Sequence, residues 1–144
     1  MYGKILTVSL LWASLSFSAV AFDSDKDKAE MARVMAKYEQ TGKVKNCVML
    51  SQVRSTKVFD DYNILFKMNG KKAYLNTLPL RCPRLGFEES FSYKVSTNQL
   101  CNVDLITVFD ANSNIQGPTC GLGKFVEYKK KDMDDEDDSD QDPE

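Results

Sequence analysis

Four cysteines, Cys47, Cys82, Cys101 and Cys120, constrain this chain more than any other feature. Three of them fall in the stretch Leu78–Lys124, which contains LPLRCPRL, QLCNVDLITVF and TCGLGK. Each sits where a short β-like run begins or ends, so a covalent crosslink there fixes strand ends. The gaps between cysteines are too long for the paired thiolates of a zinc site, and their even number suits disulfides. Four cysteines allow three connectivities. Economy favours Cys82 with Cys101, closing a local loop, and Cys47 with Cys120, tying the first strand to the last. In the chain-entropy description each bridge adds about 3–4 kcal/mol.

Disulfides require an oxidising compartment, and the N-terminus supplies a route to one. Met1 to Lys4 forms a short, singly charged start, Ile5 to Ala13 is apolar, and Ala19-Val20-Ala21 offers small residues for cleavage after Ala21. Residues 1–21 therefore read as a signal peptide, not a membrane span, and no cysteine follows closely enough for a lipid anchor. A periplasmic or secreted protein is expected. Charge is uneven along the remainder. The chain carries −2 in total, yet residues 129–144 hold three lysines and nine acidic residues. Residues 22–128 are left at about +3.

Residues 22–43 suggest one short amphipathic helix and a linker. Met31, Val34, Met35 and Tyr38 recur at helical spacing over about residues 25–40, Ser24 and Asp27 suit its start, and Gly42 suits its stop. From Lys43 the period changes to that of strands. Runs at 47–53, 58–68, 71–78, 87–95, 103–109 and 120–128 predict about six strands, with Asn69-Gly70 as a type I′ hairpin turn. Residues 44–128 thus read as an all-β domain, a small antiparallel barrel or sandwich. Phe59, Phe66, Phe87, Phe91, Phe109 and Phe125 are its expected aromatic core. Residues 129–144 read as a disordered acidic tail that could bind a basic partner or the domain's own basic face.

The sequence contains no histidine, which removes histidine-based catalysis and metal ligation. Asp60-Asp61 and Glu88-Glu89 are adjacent pairs, and neighbours on a strand point to opposite faces, so neither makes a dyad alone. Asp110-Ala-Asn112-Ser-Asn114 opens like a calcium loop but lacks the required glycine and glutamate, which favours an ordinary turn. Gly121-Leu-Gly123-Lys124 fails the phosphate-loop spacing. No cofactor or metal is expected. Arg81 and Arg84 flank a rigid Cys-Pro turn and, with Arg54 and Lys57, are candidate contacts for a protein or polyanion partner. Asp104 interrupts an apolar run beside Cys101 and is the carboxylate of an alternative reading, a small-ligand binder or weak hydrolase using a barrel mouth. Nucleic acid is not expected for so modest a positive balance.

Asn46-Cys47-Val48, Tyr74-Leu75-Asn76, Leu80-Arg81-Cys82-Pro83-Arg84-Leu85, Leu100-Cys101-Asn102-Val103-Asp104-Leu105-Ile106 and Cys120-Gly121-Leu122-Gly123-Lys124-Phe125 share an order and spacing. In these segments, over residues 44–126, the chain resembles a family of small exported proteobacterial proteins known only as a domain of unknown function. The resemblance implies a cell-envelope protein and no particular activity. The leading expectation is an exported interaction module without catalysis.

Overall fold

The computed structural model describes residues 24–132; the expected signal peptide at residues 1–21 and most of the expected acidic tail at residues 129–144 lie outside the described residues. In chain order the elements are α1 (Ser24–Met35), β1 (Tyr38–Lys45), β2 (Cys47–Met49), β3 (Val53–Val58), β4 (Asn63–Met68) and β5 (Lys72–Thr77). They continue with α2 (Leu85–Glu88), β6 (Phe91–Tyr93), β7 (Gln99–Cys101), β8 (Leu105–Phe109), β9 (Gln116–Gly121) and β10 (Phe125–Lys130). The all-β expectation holds, with ten strands among the described residues where six were predicted. Three-residue strands such as β2, β6 and β7 are too short to show a period in sequence.

All pairing is antiparallel. The main sheet has the order β1-β10-β5-β4-β3, and two smaller sheets pair β2 with β7 and order β6-β8-β9. These are open sheets and close no barrel, so the sandwich form of the expectation is the one observed. Both faces of the main sheet's centre are buried, which explains the nearly continuous apolar runs of β4 and β5. Alternate residues divide between two cores. Ile64, Phe66 and Met68 of β4 join Tyr74 and Phe125 in the larger core, with Val48, Leu100, Ile106 and Val108 from the smaller sheets. Phe66 lies edge-on to Phe125 at 5.4 Å and to Phe91 at 6.3 Å. Leu65, Ala73 and Leu75 face the other way with Phe59, and Met31, Val34 and Met35 of α1 pack on them. The methionine stripe is thus a packing surface.

The structure departs from several expectations. The helix ends at Met35, and residues from Tyr38 already belong to the sheet. Gly42 does not stop it; at φ +78° it sits in a bulge of β1, where the register against β10 shifts between Gln40 and Val44. The hairpin at Asn69-Gly70 joins β4 to β5, but only Gly70 has positive φ (+80°), so the turn is not type I′. Phe87 is 85% exposed on α2 and contributes nothing to the core. The disulfides are Cys47–Cys101 and Cys82–Cys120, not the pairing that economy favoured. Cys47 lies directly across from Cys101 in the β2–β7 ladder, and this register decides the matter. The second bridge fastens the Pro79–Pro83 turn to β9.

Two polar devices hold β5 to β10 and its approach. Asn76 is fully buried, and its side-chain amide mimics a peptide group. Its Nδ2 donates to Gly123 O at 2.7 Å, and its Oδ1 accepts from Gly123 N at 2.9 Å. The approach is so close that a Cβ on Gly123 would stand 2.0 Å from Thr77 O. Glu127, only 4% exposed, pairs across the ladder with Tyr74 and accepts from its hydroxyl at 3.0 Å. The β1 bulge brings Thr41 opposite, and its hydroxyl donates to Glu127 at 3.0 Å. Burial raises the Glu127 pKa, but these two hydroxyls and the charges of Lys72 and Lys43 outweigh it and leave the pKa lowered.

Candidate functional site: a basic cleft beside helix α1

Period-two alternation carries the α1-facing side of the sheet from apolar to basic. Lys57 pairs with Leu65, and Lys67 pairs with Ala73, so both lysines share the face on which α1 lies. Lys130 follows Tyr128 by two residues on the same side. Where α1 stops covering this face, a cleft of about 540 Å³ opens. Its helix wall is Glu30, Arg33 and Val34, continued by Lys37 and Tyr38. Its floor and far wall are Arg54 and Lys57 of β3, Lys67 and Met68 of β4, the hairpin residues Gly70 and Lys71, Lys72 of β5 and Lys130 of β10.

Eight cationic side chains therefore meet one carboxylate in the cleft. Lys57 is bound by Glu30 at 3.1 Å and by Glu89 at 3.2 Å. Burial lowers the pKa of Lys57, and the two carboxylates more than reverse this, so it stays charged. Lys71 is paired with Asp132. Among the described residues, Arg33, Lys37, Arg54, Lys67, Lys72 and Lys130 form no salt bridge. Burial pushes the Tyr38 hydroxyl pKa up, partly offset by Arg54, which keeps Tyr38 a neutral donor at the cleft wall. Like charges gathered in a concave surface repel one another and focus a positive potential, so an anion entering the cleft is attracted from solution.

The residues singled out from sequence do not converge. Arg54 lines the cleft, but Arg81 and Arg84 are not among its residues. Arg81 is held by Asp61, with Nε donating at 2.9 Å. Arg84, at φ +69°, is held by Glu88. Both precede α2, in a segment that also exposes Leu80 and, on α2 itself, Phe87. Asp104 accepts from Cys101 N at 2.7 Å and closes the turn after β7. The sheets form no barrel mouth, and Asp104 is not among the residues that line the cleft.

The other carboxylates singled out from the sequence have structural partners. Asp60 accepts from Tyr62 N at 2.7 Å and Asn63 N at 2.8 Å, whereas Asp61 holds Arg81 and Gly86 N. Asp110 closes its own turn onto Asn112 and Ser113. Among the described residues no cluster of three or more acidic, cysteine or histidine side chains is placed to hold a metal. No described helix is long and apolar enough to cross a membrane. The cleft itself was missed in the sequence. Its faint signals are Arg33 and Lys37 four residues apart, and Lys67, Lys71 and Lys72 bracketing the Asn-Gly turn. No family model matches the chain, and no curated protein or solved structure is significantly similar to it.

Proposed function

We propose that this chain is an exported, non-catalytic interaction module of the bacterial cell envelope, whose basic cleft receives an acidic segment of a partner protein. The observation that carries the proposal is the meeting of eight cationic side chains with one carboxylate in a single cleft. Two disulfides fit folding outside the reducing cytoplasm, and the N-terminal sequence and the family resemblance support periplasmic export or secretion. A protein segment is favoured over nucleic acid because the lining is dominated by lysine, with Tyr38 its single aromatic residue. Base stacking would call for more aromatic surface.

The test is titration of the mature chain with an oligoglutamate peptide. Reversal of two cleft charges, Arg54→Glu with Lys67→Glu, weakens binding about tenfold, equal to about 1.4 kcal/mol. Arg81→Glu, away from the cleft, changes it less than about twofold. Equal loss in both variants would show that the cleft is not the site. Tighter binding of a single-stranded oligonucleotide than of oligoglutamate would reassign the cleft to nucleic acid.

A further inference from the structure

The course of the chain after β10 bears directly on this cleft. Lys130 N donates to Lys71 O at 2.7 Å, and Lys131 N donates to Lys37 O at 2.9 Å. Lys131 Nζ adds a bond to Ala36 O at 3.0 Å, and Asp132 pairs with Lys71. The polypeptide is thereby pinned between the end of α1 and the β4–β5 hairpin, and Lys37, Lys71 and Lys130 are themselves cleft residues. The first acidic residue of the C-terminal run already touches a cleft lysine. Beyond it, residues 133–144 hold eight acidic side chains and no basic one.

We infer that residues 133–144 fold back into the basic cleft of the same chain and act as its resident, displaceable ligand. This rests on the reading of the cleft as an acidic-segment site and adds its regulation. Charge is complementary, since the six cleft cations that form no salt bridge among the described residues face eight negative charges. Reach matches too. Twelve residues span about 40 Å fully extended, far more than is needed from an anchor on the cleft rim. Tethering at the rim gives the tail an effective concentration in the millimolar range. A partner must therefore carry a denser or longer acidic run than the tail to displace it. Salt loosens the contact, because raising ionic strength from about 0.1 M to about 1 M shortens the screening length from roughly 10 Å to 3 Å.

The experiment compares the native mature chain with a full-length variant carrying Asp→Asn and Glu→Gln throughout 134–144. Backbone amide NMR shifts at Arg54, Lys67 and Lys72 are read first, without added ligand. Occupancy predicts that these shifts differ between the two chains at low salt, converge at about 1 M salt and do not depend on protein concentration. Superimposable low-salt spectra would overturn the inference, and a difference that grows with concentration would replace it with contact between copies. Oligoglutamate affinity is read second. The amide-tail variant is expected to bind about tenfold more tightly than the native chain. Equal affinities would overturn the tail inference while leaving the cleft reading intact. Absence of binding by either chain would remove the cleft reading, and the ligand-free spectra would still decide whether the tail lies there.

Discussion

At the scale of single residues, Gly123 and Glu127 carry more of the fold than their surroundings suggest. Gly123 faces Thr77 O so closely that no Cβ fits without moving backbone. Gly123→Ala is expected to cost about 3 kcal/mol or more, read as a lowered denaturation midpoint with an unchanged slope. A cost below about 1 kcal/mol would mean that the Asn76–Gly123 clasp is looser than described. Glu127 makes a pH prediction. Its folded pKa lies below the ordinary 4.5, so the unfolded chain takes up the proton first as pH falls. The stability it contributes is complete above about pH 5 and is lost as pH drops through the lowered folded value. Glu127→Gln should flatten this part of the stability–pH curve, measured by urea denaturation from neutral pH down to about pH 3. An unchanged curve would assign the acid sensitivity to other carboxylates. The glycine pair around Leu122 was visible in the sequence, but its role was not. That role depends on Asn76, which lies 47 residues away.

At the scale of elements, α1 has two jobs on its two flanks. Met31, Val34 and Met35 cover Phe59, Leu65, Ala73 and Leu75, and Arg33 with Glu30 walls the cleft. Met31→Ala combined with Val34→Ala should destabilise the domain by about 2–3 kcal/mol, since both side chains are only partly buried. The same variant should weaken oligoglutamate binding by loosening the cleft wall, a coupling that a merely peripheral helix would not show. Helix α1 and the β4–β5 hairpin were legible because each is signalled by neighbouring residues. The end of α1 was not. Glycine at positive φ serves a helix terminus and a strand bulge equally well, and only the pairing of Tyr38 with Lys130 distinguishes them. Strands β2 and β7 are too short to have a pattern, and their pairing also fixes the first disulfide.

At the scale of the molecule, two disulfides with separations of 54 and 38 residues act differently: Cys47–Cys101 staples the β2–β7 pair, and Cys82–Cys120 ties the β6-β8-β9 sheet to the turn after β5. The chain-entropy description assigns each about 4 kcal/mol, so Cys82→Ala with Cys120→Ala should lower stability by roughly that amount. Proteolytic fragments of the oxidised protein should link Cys47 to Cys101 and Cys82 to Cys120, and any Cys82–Cys101 fragment would contradict the strand register. The cleft belongs to this scale as well. Its cations come from α1, β3, β4, β5, β10 and two turns, so composition reported only a mildly basic domain and topology gathers the charge. The most direct test of the account is an NMR map of oligoglutamate added to the amide-tail chain. Binding in the cleft predicts shifts confined to Arg33, Lys37, Arg54, Lys67 and Lys72. Shifts centred instead on Leu80, Arg81, Arg84 and Phe87 would contradict it and move the binding surface to α2.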